Sequence, residues 1–479
     1  MIDLADRTFS LICRLRCSAD RWVAQLILIL GSIPMTTPRH LILTLIIHGA
    51  GSHKQAWRAL PDRDAFWNFD HYVEVAKIAH RGTFDSLWLP DLPMTIAPAD
   101  QTPGHSLDPT LLMTALAAAV PDIGVVPTLS TTYSAPYTTA RHIATLDAIS
   151  GGRAGINAIM SYHDRVAQNY GDAAMQDYES RYKKADEFLE IFRQLSDSWI
   201  FPETGSYRDK GLLFDPELRR EINYRGEFYS VRGPLNVPQS RLGRPLVSVA
   251  GGSEQSLDLA AKHADVLYAA LVDKGAAQEL MRDLYTRVTR FGRKAGSLKV
   301  MPGLVPVIGS TEQEAERKLL KLAEEGGYAI DPVQRISELL GYDPAKLHPD
   351  KPLTPEQMQL PASWKRPVGL FHSVADVARR RNLTVRELAR VFQLDIGHRL
   401  VVGTPESVAA QLLDWWHDGA CDGFAVRAQS LPEDATILSD EVIPILRKAG
   451  AFPHGYHKES LRSRFGVDDD DAAKSRLAG

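Results

Sequence analysis

Residues 121–161, PDIGVVPTLSTTYSAPYTTARHIATLDAISGGRAGINAIMS, contain the pattern that decides the fold. Residues 123–126 form a short apolar run of the kind found in strands, and Pro136 begins a segment with apolar residues at helical spacing. Residues 153–159 form a second strand-like run after a Ser-Gly-Gly stop. A strand–helix–strand unit of this length places both strands parallel in one sheet, so the stretch predicts a parallel α/β fold.

The same alternation of strand and helix continues on both sides of this stretch. Six more apolar runs are predicted as strands, at residues 41–47, 84–89, 245–249, 264–270, 298–308 and 423–426. Eight strands, each followed by a helical pattern, predict an α/β fold built on a closed, eight-stranded parallel barrel of the TIM type with insertion segments. An open, doubly wound sheet is the alternative, although no GxGxxG motif follows any of the predicted strands.

Long segments without this alternation divide the chain. The barrel is expected at residues 35–451, with excursions at about 196–244 and 326–400 that could serve as lids, and a polar tail is expected at residues 452–479. Residues 1–34 are expected to form an extension outside the barrel, and one hypothesis takes Met35 as the natural first residue.

Composition and charge exclude several classes of protein. The chain has 479 residues and a net charge of −4, which offers no electrostatic basis for binding nucleic acid or an anionic membrane. A superficial helix-turn-helix pattern at residues 374–391 is therefore interpreted as a helical hairpin on the barrel. The apolar residues 22–34 are too few to span a bilayer.

Cysteines and motifs narrow the chemistry further. Cys13, Cys17 and Cys421 cannot form a disulfide framework, which fits a reducing compartment and predicts a cytoplasmic location. The sequence has no HExxH motif and no close carboxylate–histidine cluster, so no catalytic metal is predicted. It also lacks the GxSxG motif of many serine hydrolases.

Candidate functional groups stand where the predicted strands end, which is where parallel barrels bind ligands. Asp91 ends the second strand, Thr128 opens a cluster of four hydroxyls in five residues after the third, and Asn157 ends the fourth. Gly252 and Ser253 precede a helix and could present a backbone N–H and a hydroxyl to a phosphate. Ordinary turn and helix-cap chemistry is the alternative interpretation of all five residues.

Aromatic and imidazole side chains supply weaker signals. Tyr178 and Tyr182 are four residues apart on a predicted helix, so they share one face, and partial burial against the barrel is the alternative explanation. His48, His53 and His163 fall in or near loops at the carboxyl ends of strands.

Several of these stretches resemble one known family. They are similar to the flavin-dependent two-component monooxygenases of the bacterial luciferase-like superfamily, in the group of nitrilotriacetate, pristinamycin and dibenzothiophene-sulfone monooxygenases. The resemblance lies in the segments TLSTTYSAPYTTARHIATLDAISGGRAGINAIMS, FDSLWLPD, RGEFYSVRGPLNVPQSRLGRPL, AGGSEQSLDLAAKHADVLYAA and VVGTPESVAAQLLDWWHDGACDGF. It runs in collinear order from about residue 39 to residue 466. The fold that it implies, an eight-stranded barrel, agrees with the strand count.

The resemblance also implies an activity. Members of this group use reduced FMN, supplied by a separate NAD(P)H:flavin reductase, and O2 to oxidise a small organic substrate of xenobiotic type through a flavin (hydro)peroxide. They are commonly homo-oligomers, either dimers or tetramers. A deazaflavin-dependent oxidoreductase on the same barrel and a non-catalytic flavin-binding protein are the alternatives. The sequence does not determine which bond of the substrate is oxidised.

Particular residues take their roles from the resemblance. It implies contacts to FMN from Asp91, Thr128, Tyr178, Tyr182 and Ser253, with Ser253 at the phosphate. Asn157 and Gly252 are also predicted to bind the cofactor, because of their positions at a predicted strand end and before a predicted helix. His48 and His53 are predicted as catalytic polar groups near the flavin (hydro)peroxide. Relatives often carry His where Tyr178 and Tyr224 stand, and Tyr224 lies in an excursion that could cover the substrate.

Overall fold

A closed ring of eight parallel strands forms the centre of the fold. The computed structural model describes residues 40–467 except 63, 96–106, 201–210, 362–363, 365–367 and 395–396. The ring consists, in spatial order, of β1 (Ile42–Ile46), β2 (Ser86–Leu89), β3 (Gly124–Ser130), β4 (Gly155–Ile159), β7 (Leu246–Ala250), β8 (Val266–Ala269), β9 (Lys299–Ile308) and β11 (Gly423–Arg427). β11 pairs with both β1 and β9, which closes the ring. The predicted barrel and its eight strands are confirmed.

Helices surround the ring and account for the apolar periodicity of the sequence. Those that accompany barrel strands are α1 (Phe69–Arg81), α2 (Pro109–Ala119), α3 (Pro136–Ser150), α4 (Asp164–Asn169), α5 (Tyr178–Ser196), α6 (Glu254–His263), α7 (Lys274–Arg290) and α8 (Glu312–Glu325). The later ones are α9 (Pro332–Leu340), α10 (Val368–Arg381), α11 (Val385–Val391), α12 (Pro405–His417), α13 (Glu433–Ile437), α14 (Ile443–Lys448) and α15 (Leu461–Arg464). A π-helical turn, Leu438–Val442, joins α13 to α14. None of the described helices is long and apolar enough to cross a membrane.

Alternating side chains divide the strands into an inner and an outer face. On β11, Ala425 packs inside the ring with Ile42 and Met301, whereas Phe424 and Val426 pack outside it in the cluster that includes Trp415 of α12. This alternation follows from the two-residue period of a strand. Both faces are buried, which explains why the strands read as continuous apolar runs.

Three aspartates tie neighbouring strands together at the amino ends of the barrel strands. Asp85, Asp265 and Asp422 each stand one residue before a barrel strand. Their carboxylates accept hydrogen bonds from the backbone N–H groups of Leu43 at 2.8 Å, Val247 at 2.9 Å and Val300 at 2.8 Å, respectively. Each bond links adjacent strands at the base, away from the carboxyl ends where ligands bind.

A ninth strand, β10 (Arg399–Gly403), was not predicted. It pairs in parallel with the outer half of β9, from Leu304 to Ile308, and lies at the edge of the sheet. The sequence analysis placed its first two residues at the end of the second excursion. The strand begins with a charged residue and follows the second excursion directly, so its start was assigned to that excursion.

The first excursion contains a small hairpin, β5 (Tyr224–Arg225) paired with β6 (Ser230–Val231). Tyr224 and Val231 pack with Ile143 of α3 and Ile191 of α5, on the outer side of the barrel helices. Glu187 of α5 holds the turn of the hairpin, because its carboxylate accepts from the N–H groups of residues 227 and 228 at 2.7 and 3.2 Å. The structure therefore places Tyr224 against the helical layer.

The second excursion forms a helical unit with its own core. Helices α9, α10 and α11 bury a separate apolar cluster that includes Ile336, Phe371 and Leu388. Residues 374–391 form the expected helical hairpin, with a capping box at Thr384. Ion pairs join its arginines to carboxylates: Arg379 to Asp376, Arg380 to Glu279, Arg386 to Asp350 and Arg390 to Glu316.

The chain stays packed beyond residue 451, where the sequence analysis expected a polar tail to begin. Leu461, Phe465 and Val467 enter the inner cluster of the barrel beside Ile42 and Val126. The segment 452–467 reads as polar because few apolar residues are enough to close the base of the ring. The predicted extension 1–34 and the acidic run 468–471 lie outside the described residues.

Gly423 is expected to control closure of the ring. It faces Ile42 across the β1–β11 pair, and a Cβ at this position would lie 2.1 Å from the carbonyl oxygen of Ile42. Gly423→Ala should therefore lower the free energy of unfolding by about 1–3 kcal/mol, the usual cost of overpacking. Urea unfolding followed by circular dichroism measures the change.

Gly455→Ala is the matched control, because no described heavy atom lies within 4 Å of the Cβ that it would add. Equal stability of both variants would contradict the proposed role of Gly423 in closure.

Candidate active site

Three neighbouring strands present polar side chains at one level inside the barrel. Thr128 of β3, Asn157 of β4 and Ser248 of β7 are in register with one another, and all three are buried. Asn157 donates from Nδ2 to Thr128 Oγ1 at 3.0 Å. The Oδ1 atom of Asn157 and the hydroxyl of Ser248 are buried without a hydrogen-bond partner among the described residues. Because an unpaired buried polar group costs about 1–3 kcal/mol, these two atoms indicate a ligand.

A second group of polar residues surrounds the amino end of α6. Ser253 caps this helix, because its hydroxyl accepts from the N–H of Ser256 at 3.3 Å. The hydroxyls of Tyr178 and Tyr182 lie 2.5 and 3.4 Å from Ser253 Oγ, and the two tyrosine rings are 4.6 Å apart. The structure thus brings Ser253 together with two tyrosines that precede it in sequence by 75 and 71 positions.

Two glycines leave space in front of this helix end. Gly251 has a φ of +152°, and a Cβ there would lie 2.6 Å from the Cβ of Ser256. No described heavy atom lies within 4 Å of the position that a Cβ of Gly252 would occupy. An open helix amino terminus with a hydroxyl cap is suited to binding an anion.

The Tyr178 hydroxyl is held in its neutral, donating form. Its pKa is raised to about 12, chiefly by burial, and the hydrogen bond to Ser253 opposes this rise by a smaller amount. Tyr178 can therefore act as a hydrogen-bond donor over the whole physiological pH range.

Asp91 lies two residues beyond the end of β2, partly buried beside the loop that leads to α2. Burial, the largest cause, and the negative charge of Asp108, the N-cap of α2, together raise its pKa to about 6. Asp91 is therefore a carboxyl group that changes charge near neutral pH. Its predicted contact with FMN stays a prediction.

His53 anchors a loop. The residue is buried, its Nε2 donates to the carbonyl oxygen of Leu322 at 2.8 Å, and its Nδ1 accepts from the N–H of Gln55 at 3.3 Å. Burial lowers its pKa, so the ring is neutral. Both ring nitrogens are committed to backbone groups, and the geometry gives no support to the predicted catalytic role. His48, which is partly buried just after β1, keeps its catalytic role as a prediction.

The sequence analysis missed Ser248 and Ser256. Ser248 is the one hydroxyl within the apolar strand LVSVA, and its inward register with Asn157 could have pointed to it. No group of three or more His, Cys, Asp or Glu side chains that could hold a metal occurs in the described part of the chain.

A parallel eight-stranded barrel with buried polar groups and an open helix end at its carboxyl face defines the class of barrel enzymes that bind ligands there. The sequence profile of the luciferase-like monooxygenases matches residues 39–422. The chain therefore belongs to the luciferase-like monooxygenase family, and it is an oxidoreductase.

Individual relatives agree with this assignment. N-acetyl-S-(2-succino)cysteine monooxygenase of Bacillus subtilis (strain 168) is 35% identical over 429 residues, which cover 89% of this chain and 96% of the relative. Nitrilotriacetate monooxygenase component A of Aminobacter aminovorans is 33% identical over 455 residues, with 90% and 98% covered. The structure of EDTA monooxygenase (EmoA) from Chelativorans sp. BNC1 has a TM-score of 0.78 at 35% identity, with 90% and 99% covered.

His53→Ala should lower the stability of the protein. The variant loses the hydrogen bonds from the ring to the backbone of Leu322 and Gln55, while the Leu322 carbonyl still accepts from the N–H of Gly326. We therefore expect the free energy of unfolding to fall by about 0.5–1.5 kcal/mol, with FMN affinity unchanged. Chemical denaturation and a flavin titration measure the two quantities. His142→Ala on the exposed face of α3 is the control. A variant with normal stability and no turnover would instead support a catalytic His53.

Asp91→Asn should change how stability depends on pH. The folded carboxyl has a pKa of about 6 against an ordinary value of 3.8, so the native state binds more protons between these pH values and loses stability as pH rises from 4 to 6. The amide does not titrate, so the variant should gain about 1–2 kcal/mol over the wild type at pH 7 and nothing near pH 3.5. Denaturation at several pH values tests this, with the exposed Asp62→Asn as the control. A pH-independent difference would contradict the raised pKa.

Proposed function

We propose that the chain is the oxygenase component of a two-component, FMN-dependent monooxygenase. It would take reduced FMN from a separate NAD(P)H:flavin reductase and use O2 to oxidise a small organic substrate. The observation that carries this proposal is the pair of buried polar atoms without a partner among the described residues, Asn157 Oδ1 and Ser248 Oγ, inside the barrel at the middle of β4 and β7.

These two atoms fit the edge of a flavin ring. That edge carries one N–H donor and two carbonyl acceptors in a plane. Because Asn157 Nδ2 is committed to Thr128, the Oδ1 atom is left to accept from the ring N–H. The Ser248 hydroxyl, on the adjacent strand, can donate to a ring carbonyl. Thr128 thus has a positioning role.

The amino end of α6 fits the phosphate of FMN. Gly252 leaves room for it, the helix dipole favours a negative charge, and Ser253 offers a hydroxyl. Tyr178 and Tyr182 would line the path between the phosphate and the ring. Since β4 and β7 are adjacent and α6 follows β7, the ring and phosphate groups belong to one continuous surface.

Reduced flavin supplies two electrons, so that one oxygen atom of O2 enters the substrate and the other leaves as water. The chain has to orient the substrate and exclude bulk water. The loop after β3 is suited to this because hydrogen bonds hold it to neighbouring elements. Ser130 and Ser161 share a hydrogen bond of 2.8 Å, and Lys184 donates to the carbonyl of Thr132 at 2.7 Å.

The relatives support a partner protein and a substrate class. The name of the Aminobacter protein marks it as one component of a larger enzyme, which supports a separate reductase for this chain. The names of the three relatives denote substrates with several carboxylate groups, so we propose a carboxylated substrate here. We also propose a cytoplasmic homo-oligomer.

Binding of reduced FMN is the first test. An anaerobic titration should show saturable binding by the wild type, and Asn157→Ala should weaken it about tenfold or more, because a buried hydrogen bond to the ring is lost. Asn236→Ala, which changes an exposed residue of the first excursion, should bind as the wild type does. Equal affinity in both variants would remove Asn157 from the flavin site.

The oxygenase reaction needs its own measurement. With a flavin reductase, NADH and FMN, the protein should transfer one atom of 18O from labelled O2 to nitrilotriacetate or N-acetyl-S-(2-succino)cysteine, detected by mass spectrometry. Binding of reduced deazaflavin in place of reduced FMN would favour the deazaflavin enzyme. FMN binding without labelled product from any carboxylated substrate would favour a flavin-binding protein.

A further inference from the structure

We propose that Arg181 of α5 is a positioning residue that joins the ring end of the proposed flavin site to its phosphate end and directs an unbalanced positive charge toward the phosphate. This inference rests on the proposed function, because it assigns a further residue to that same site. Arg181 acts without touching the flavin. It works through Ser161 on the side of the ring and through Tyr178 on the side of the phosphate.

The guanidinium of Arg181 ties the amino end of α5 to the segment that follows β4. Its Nη1 donates to the carbonyl oxygen of Ser161 at 2.7 Å, and its Nε donates to the carbonyl oxygen of Gln176 at 3.0 Å. Ser161 is buried two residues beyond the end of β4, and its hydroxyl shares a hydrogen bond of 2.8 Å with that of Ser130, the last residue of β3. Arg181 therefore holds α5 against the two strands whose amide and hydroxyl groups would position the flavin ring.

On its other side, Arg181 meets the tyrosine that reaches the amino end of α6. Its guanidinium carbon lies 5.7 Å from the centre of the Tyr178 ring, and the Tyr178 hydroxyl donates to Ser253 Oγ at 2.5 Å. Burial raises the pKa of Tyr178, and the positive charge of Arg181 is one of the influences that oppose this rise. Tyr178, Arg181 and Tyr182 are at positions i, i+3 and i+4 of one helix, so they share a face.

The charge of Arg181 is not balanced within the described part of the chain. Both of its hydrogen-bond acceptors are backbone carbonyl groups, and no salt bridge joins it to a described carboxylate. Two other basic residues of α5 differ, because Lys183 pairs with Glu179 at 2.7 Å and Arg193 pairs with Glu190 at 2.6 Å. Arg181 is also only partly exposed, so its charge is screened less than a charge in open water.

Helix stability does not explain an arginine at this position. Arg181 is the fourth residue of α5, near the amino end, where the helix dipole disfavours a positive charge. The start of the helix is stabilised by acidic groups instead, because Asp177 accepts from the N–H of Ser180 at 3.0 Å and Glu179 lies in the first turn. An anionic ligand near this end of α5 would offset the unfavourable position of the arginine.

The phosphate of FMN is such a ligand, since it would lie at the amino end of α6 beside Ser253. A guanidinium that donates to carbonyl groups keeps its full charge, and its planar fork fixes its orientation. The hydrogen bonds of Arg181 would thus position the ring end of the site, while its charge would favour the phosphate end. Loss of the hydrogen bonds should weaken binding of every flavin. Loss of the charge should weaken binding only of a flavin that carries a phosphate.

The test compares reduced FMN with reduced riboflavin, which has the same ring and ribityl chain but no phosphate. Both affinities are measured by anaerobic titration of the full-length protein. Arg181→Gln should weaken binding of reduced riboflavin by about three- to tenfold, because hydrogen bonds that hold the ring end are lost. It should weaken binding of reduced FMN by a further factor of about five, because the attraction to the phosphate is also lost. Arg181→Lys should keep the wild-type preference for FMN over riboflavin but bind both less tightly, since an ammonium retains the charge without the planar fork.

Lys183→Gln is the matched control, because it removes the same charge from an exposed position of the same helix, and both affinities should stay as in the wild type. A purely structural role of Arg181 would lower both affinities by the same factor. An unchanged preference for FMN in Arg181→Gln, or wild-type affinity of this variant for both flavins, would therefore overturn the proposal. If Arg181→Gln does not fold, Arg181→Lys decides, because wild-type riboflavin affinity or a lost preference for FMN in that variant would also overturn it. Failure of the wild type to bind either flavin would defeat the proposed function together with this inference.

Discussion

Closure of the sheet by β11 is the constraint on which the rest of the structure depends. This strand lies between β1, near the start of the described chain, and β9, and it approaches β1 so closely that only a glycine fits opposite Ile42. A closed ring has no exposed edges, and it directs every barrel strand the same way. All carboxyl ends therefore meet on one face, and residues from distant parts of the sequence become neighbours there.

Different parts of the barrel have different roles. At the amino ends of the strands, Asp85, Asp265 and Asp422 bond to the backbone of adjacent strands, and the segment 461–467 fills the base with apolar side chains. Because these three carboxylates are hydrogen-bonded, they stabilise the barrel. Farther along the strands, in the middle of β4 and β7, Asn157 and Ser248 keep buried atoms without partners among the described residues. That contrast separates the structural base of the barrel from the part that we propose binds the flavin.

Different walls of the carboxyl end also differ in chemistry. The β3–β4–β7 wall and the helix end after β7 offer hydroxyls, an amide and backbone N–H groups, which suit a flavin ring and its phosphate. The β8–β9–β11 wall differs, because the rings of Tyr268 and His398 stack on it with their centres 5.4 Å apart. Family membership is common to enzymes with very different substrates, so the shared barrel by itself does not set selectivity.

The amino-acid sequence by itself determined the architecture, because eight apolar runs alternating with helical patterns leave few arrangements other than a closed parallel barrel. Its pattern and its family resemblance also marked Thr128, Asn157, Tyr178, Tyr182 and Ser253 as candidate ligand-binding residues, although the structure places Thr128 and Asn157 within β3 and β4 and not at their ends. The local sequence pattern could not reveal β10, because this strand forms only by pairing with the outer half of the long strand β9. Nor could it show that both ring nitrogens of His53 form hydrogen bonds with backbone groups, or that Ser248 faces inward beside Asn157. Only the tertiary structure decided which polar groups are satisfied by the chain and which are left for a ligand, because hydrogen-bond partners are brought together by the fold and are far apart in sequence.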